Sequence, residues 1–139
     1  MSKENFSDET TRFAEDLLPQ DPNELSPEEV SAVKALPSGS ALLIVRRGAA
    51  AGSRFLLDQD LTLAGRHPNA DIFLDDVTVS RKHAEIHRSG KNFTVKDLGS
   101  MNGTYCDGAR VDSCELSDGS ELLIGKFRMT FYTAQSDKT

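Results

Sequence analysis

The stretch from residue 64 to residue 104, AGRHPNADIFLDDVTVSRKHAEIHRSGKNFTVKDLGSMNGT, restricts the possible folds most. Three polar pieces punctuate it: Gly65-Arg66, Ser80-Arg81-Lys82-His83 and Gly99-Ser100-Met101-Asn102-Gly103. Between them apolar and polar residues alternate. His83, Glu85 and His87 alternate with Ala84, Ile86 and Arg88, and Phe93 and Val95 alternate with Asn92, Thr94 and Lys96. A period of two describes half-buried strands. Ser89-Gly90-Lys91 between the runs is a tight-turn signal, so His83 to Asp97 reads as one hairpin. Antiparallel strands reverse at the turn. The loop entering this hairpin (Asp75 to Lys82) and the loop leaving it (Leu98 to Gly103) therefore share one end of a sheet.

That geometry gathers Ser80, Arg81, Ser100 and Asn102 although about twenty residues separate the two loops. The cluster offers hydroxyl and amide donors, a guanidinium and flexible glycine backbone. Converging donors with a permanent positive charge suit an anion, and the planar fork of arginine matches phosphate or carboxylate oxygens.

Around this stretch the chain reads as many short strands. Ala41 to Arg46 is a continuous apolar run, followed by a small-residue turn at Gly48 to Gly52. Ser53 to Leu57, Leu61 to Ala64, Ile72 to Leu74, Thr104 to Cys106, Ala109 to Val111, Ser120 to Ile124 and Phe127 to Thr133 follow the same pattern. Asp107-Gly108, Asp118-Gly119 and Gly125-Lys126 supply turns. Short strands with such regular breaks indicate a sandwich or barrel. Upstream, Ser26-Pro27-Glu28-Glu29 opens a short surface helix reaching about Ala35. Ser26 caps it, Pro27 suits the first helical position and Glu29 completes a capping box. Pro37-Ser38-Gly39 breaks it and marks a boundary. The expected organisation is an acidic tail over 1–36, a β domain over 37–134 and a disordered end over 135–139.

Charge separates these parts. The formal net charge is −6, and residues 1–36 alone hold nine acids against three bases. The remainder is balanced and has no basic stripe, so nucleic acid is not an expected partner. No stretch approaches the roughly twenty apolar residues of a membrane span. The polar start MSKENFSDETT lacks the apolar core of a signal peptide, which points to the cytoplasm. Two reduced thiols are then expected at Cys106 and Cys114, and neither a metal nor a cofactor is anticipated. The tail reads as disordered, with one helix-prone stretch at 9–18 in which Phe13 and Leu17 share a face. Thr10 and Thr11 follow Asp8 and Glu9 there, a candidate kinase site.

Other readings of the same residues are weaker. His83, Glu85 and His87 on one strand face imitate a metal site but lack a fourth ligand. Asp71, Asp75 and Asp76 lack the spacing and glycine of a calcium loop. Ser80 has no evident base with an orienting partner, so a hydrolase is not expected.

The ordered set Gly65-Arg66, then Ser80-Arg81-Lys82-His83, then Ser100-Met101-Asn102-Gly103-Thr104 resembles the signature of the forkhead-associated (FHA) family. The resemblance covers roughly residues 37 to 134. It implies an all-β sandwich of about eleven strands that binds phosphothreonine peptides. It assigns phosphate contacts to Arg66 and Ser80, and phosphate or peptide contacts to Arg81. Ser100 and the Met101 backbone would line the pocket, and Asn102 would clamp the peptide backbone. Gly65, His83 and Gly103 would hold the loops in shape. Met101 stands where such modules commonly carry threonine or another small polar residue.

The segments SALLIVRRG, AGSRFLLDQ and GKFRMTF, with an acidic tail carrying Glu9-Thr10-Thr11, resemble a narrower group. These are the actinobacterial FHA regulators known as oxoglutarate dehydrogenase inhibitors and glycogen accumulation regulators. Their tails place two residues between the threonine pair and a phenylalanine, whereas only Arg12 intervenes here. The resemblance implies inhibition of the E1 component of 2-oxoglutarate dehydrogenase. It also implies action on glutamate dehydrogenase and glutamate synthase, and release when a Ser/Thr protein kinase modifies the tail. More than twenty residues separate Thr10 from the β domain, so a phosphorylated tail would dock on its own pocket at an effective concentration around the millimolar range. A plain adaptor with an inert tail is the alternative.

Overall fold

A computed structural model describes residues 25–47 and 51–137. The tail up to residue 24, with Thr10, Thr11 and the helix-prone stretch at 9–18, and positions 48–50 of the small-residue turn lie outside the described residues.

Eleven strands form two sheets. They are β1 (Ala41–Arg47), β2 (Arg54–Leu57), β3 (Leu61–Gly65), β4 (Ile72–Phe73), β5 (Ala84–Ser89), β6 (Asn92–Asp97), β7 (Thr104–Cys106), β8 (Ala109–Val111), β9 (Ser113–Leu116), β10 (Glu121–Ile124) and β11 (Phe127–Thr133). The first sheet has the order β2-β1-β11-β10-β7-β8 and the second β4-β3-β5-β6-β9. All pairings are antiparallel except β3 with β4. The chain is thus an all-β sandwich, as expected.

Alternation produces the core directly. Ala84 and Ile86 of β5 and Phe93 and Val95 of β6 point inward against Leu43, Val45, Leu122, Ile124, Met129 and Phe131 of the opposite sheet. Phe93 and Phe131 meet edge to face across the sandwich, ring centroids 5.4 Å apart. The continuous apolar run of β1 has a separate cause, because both its faces are covered. Leu42 and Ile44 point outward into a second cluster with Tyr132 and Val33. Val33 belongs to the helix α1 (Pro27–Lys34). Its N-terminus carries the expected capping box: Ser26 Oγ accepts from Glu29 N at 3.2 Å, and Glu29 Oε1 accepts from Ser26 N at 3.0 Å. Glu29 also pairs with Arg46 at 3.1 Å. The helix packs on the sheet and buries Val33.

Three local expectations need correction. β9 is an additional strand that the sequence pattern does not announce, because SCEL has only two inward residues, Cys114 and Leu116, too few to register as alternation. The end expected to be disordered contains a 3-10 turn at Gln135–Asp137. There the Asp137 carboxylate accepts from Ser38 Oγ at 2.6 Å and Gly39 N at 2.7 Å. Finally, His83 leaves the strand face assigned to it. It precedes β5 and is fully buried, whereas His87 is exposed and pairs with Glu85 at 3.0 Å.

Candidate functional site

The β5–β6 hairpin runs in unbroken register from Ser89↔Asn92 at the turn to Ala84↔Asp97 at the open end. The loops before β5 and after β6 therefore emerge together. The loop after β3 joins them: Arg66 N donates to Ser80 O at 3.0 Å and His67 N to Arg81 O at 3.2 Å. Gly65 makes this approach possible. A Cβ there would strike the Arg81 carbonyl oxygen, a backbone atom that cannot move aside.

His83 holds the rim from beneath. Its Nδ1 accepts from Ser80 N at 3.1 Å, and its Nε2 lies 2.8 Å from the Gly103 carbonyl. A ring protonated at Nε2 satisfies both contacts. One 0 %-exposed side chain thus ties together two loops twenty residues apart. Across the top, Met101 N donates to Ser80 Oγ at 3.1 Å and Asn102 Nδ2 to Thr78 O at 2.9 Å.

Asp97 organises the second loop. Its carboxylate accepts from Gly99 N at 2.9 Å, Ser100 N at 3.0 Å, Ser100 Oγ at 2.6 Å and Thr104 Oγ1 at 2.7 Å. Partial burial pushes this carboxyl upward. The hydrogen bonds from Ser100, Thr104 and Gly99 outweigh that and hold it below its ordinary range. Ser100, expected to line the pocket, is buried. Its hydroxyl donates to Asp97 and accepts from Gly103 N at 2.9 Å, which makes it a strut inside the loop. Gly103 adopts φ +87°, and a Cβ on it would come within 2.6 Å of Arg110 Nε.

A third turn abuts the rim. Thr78 Oγ1 accepts from Lys126 N at 3.1 Å, and Lys126 Nζ lies 3.0 Å from Asp76 Oδ1. Hydrogen bonds from Thr78, then from Lys126, draw the Asp76 carboxyl down to about 2. Sequence reasoning missed Thr78, Asp97, Arg110 and Lys126. Only Asp97 left a readable signal, since an Asp-x-Gly-Ser run can accept its own following amides.

Of the expected site residues, Ser80 and Met101 meet through a hydrogen bond, Asn102 is tied to Thr78 two residues before Ser80, and Arg66 is joined through its backbone. Arg66 and Arg81 are exposed, and among the described residues no hydrogen bond or ion pair engages either guanidinium. Met101 is 85 % exposed, so its side chain lies outside the socket and its N–H faces Ser80. The rim therefore combines uncommitted cations with anchored hydroxyl and amide groups, a composition suited to a dianionic ester.

The model of the FHA domain matches residues 62–125. The oxoglutarate dehydrogenase inhibitor of Corynebacterium jeikeium is 52% identical over 132 residues, covering 92% of this chain and 90% of that protein. The chain belongs to the FHA family, in the group of oxoglutarate dehydrogenase inhibitors and glycogen accumulation regulators. The glycogen accumulation regulator of Mycolicibacterium smegmatis is 64% identical over 104 residues, 75% of this chain. That match spans slightly less than two thirds of the regulator's own length, 66%. Among solved structures, EmbR of Mycobacterium tuberculosis in complex with a low-affinity phosphopeptide superposes with a TM-score of 0.65 at 31% identity. The FHA match covers 79% of this chain and 29% of EmbR. No helix among the described residues is long and apolar enough to cross a membrane.

Proposed function

We propose that the chain is a non-catalytic, cytoplasmic signalling regulator whose rim binds phosphothreonine. Residues 37–134 form the binding module and 1–36 a regulatory arm. Arg66 and Ser80 take the phosphate, Arg81 takes phosphate or peptide, and Asn102 holds the peptide backbone beside it. The observation that carries this reading is the bond from Met101 N to Ser80 Oγ. It fixes the serine as an acceptor from one loop, while among the described residues its own O–H and the Arg66 and Arg81 guanidinium groups engage no partner.

The arm supplies a ligand of its own. We infer that a Ser/Thr protein kinase modifies Thr10 or Thr11 and that the phosphorylated arm docks on the rim. The names of the C. jeikeium and M. smegmatis relatives support a metabolic target. In the unphosphorylated state the chain would inhibit the E1 component of 2-oxoglutarate dehydrogenase and bind glutamate dehydrogenase and glutamate synthase. Occupation of the rim by the arm would release them.

Calorimetric titration of a phosphothreonine peptide into the full chain, before and after kinase treatment, tests both steps. Unphosphorylated protein should bind, and Arg66→Ala should weaken binding about 100-fold or more, since charge-assisted hydrogen bonds contribute ~1.5–3 kcal/mol each. Phosphorylated protein should bind the added peptide at least about tenfold more weakly, because a millimolar-range tethered ligand competes. Unchanged affinity after phosphorylation would eliminate self-docking and leave an adaptor with an inert arm. Unchanged affinity in Arg66→Ala would eliminate the phosphate site itself.

A further inference from the structure

The two cysteines come from different sheets. Cys106 ends β7 and pairs with Leu122 of β10, whereas Cys114 lies in β9 and pairs with Val95 of β6. β7 and β9 share no backbone ladder. Their side chains nevertheless converge inside the sandwich, where Cys106 is part of the core and Cys114 packs against it, with the sulfur atoms 2.8 Å apart. Both are free thiols. Apolar packing does not require two facing sulfurs, because any pair of small apolar side chains fills the same space.

We propose that Cys106 and Cys114 are a thiol-oxidation site, which a hydroperoxide converts into a disulfide joining the two sheets. The accessibilities differ in the way this chemistry needs. Cys114 is half-buried and Cys106 is buried. Burial, and then the hydrogen bond to Cys114, push the Cys106 thiol up to about 12, so it stays protonated until a partner forms beside it. Cys114 therefore reacts first. Its thiolate attacks one peroxide oxygen, the S–O bond forms, the O–O bond breaks, and the leaving hydroxide takes a proton to become water. Cys106 sulfur then attacks the Cys114 sulfenic sulfur. The S–S bond forms, the S–O bond breaks, and the departing hydroxide takes the Cys106 proton. In total two thiols are oxidised, one hydroperoxide is reduced, and two waters leave (water and an alcohol for an organic peroxide). The sulfurs need to close by roughly 0.8 Å to reach bonding distance, a change within the scope of side-chain rotation.

The link would also affect the recognition end. Cys106 lies three residues beyond Gly103, whose carbonyl rests on His83. Bridging β7 to β9 would fix the strand that carries the outgoing loop.

The test uses the full chain exposed to hydrogen peroxide, followed by intact-mass and thiol analysis. A monomer lighter by about 2 Da, with no free thiol and full recovery on reduction, is the expected result. Cys106→Ala should stop at a Cys114 sulfenic acid that dimedone captures. Cys114→Ser, altered at the more accessible position and checked for an unchanged melting transition, should retain its Cys106 thiol. Disulfide-linked dimers, oxygen addition to the wild type without loss of hydrogens, or two intact thiols after peroxide has consumed added glutathione would each overturn the proposal.

Discussion

The loop rim and the helix-covered face of the first sheet solve opposite problems with similar strands. Under α1 the outer face of β1 is sealed by hydrocarbon: Val33 lies on Leu42, Ile44 and Tyr132. At the rim no described element covers the loops, and their shape comes from hydrogen bonds to His83 and Asp97. Apolar burial is non-directional and tolerates small shifts. A hydrogen-bonded scaffold is directional, so one lost acceptor moves a loop. The helix-covered face therefore contributes stability without recognition, whereas the rim scaffold contributes both, and variants should separate the two regions.

The largest expected difference is between His83→Ala and Val33→Ala. Removing the imidazole leaves Ser80 N–H and the Gly103 carbonyl without partners and opens a void beneath both loops. It should cost about 2–4 kcal/mol of stability and lower phosphopeptide affinity at least tenfold. Val33→Ala deletes two buried methyl groups and should cost about 1–3 kcal/mol while leaving affinity within about twofold. Urea titration and calorimetry on both variants check this. If Val33→Ala weakened the peptide as much as His83→Ala, the two regions would be coupled and the separation would fail.

A subtler effect follows from Asp97. Its carboxyl is held low in the folded chain, so its contribution is complete above the ordinary carboxylate range and disappears as pH falls through the lowered value. Asp97→Asn should therefore melt below the wild type at neutral pH, and the gap should narrow as the pH falls below the ordinary carboxylate range. Asp76 is also held low, but it titrates in both proteins and cancels in the difference. A gap that is constant with pH would mean that shape, not charge, holds the 99–104 loop.

The same contrast decides what could be read in advance. The β5–β6 hairpin was legible because one buried face writes a period of two into the sequence, and the meeting of its flanking loops followed from topology. Ser80, Arg81 and Asn102 were legible as donors. The inward turn of Ser100 was not, because it depends on Ser100 reaching back three residues to Asp97, and a serine looks the same whether it faces ligand or carboxylate. His83 was placed on a strand face by alternation. Its true position depends on the close approach of the β3 and β5 ends, which no local pattern records. β1 was legible as a strand, but its covering layer was not: the helix supplies only Val33 as a fully buried contact.

The smallest expected effect concerns the start of that helix. Ser26 and Glu29 satisfy each other's amides, and Glu29 also meets Arg46, which donates to Tyr132 Oη at 2.7 Å. Ser26→Ala removes one cap and should cost about 1 kcal/mol. The loss should stay local, because Val33 lies near the other end of α1 and keeps its own contacts. Amide exchange should therefore quicken at Glu28 to Val30 and not in β1 or β11, with peptide affinity unchanged. Faster exchange through β1 would show that the helix is a structural part of the sandwich, so that capping and core stability would then be one quantity.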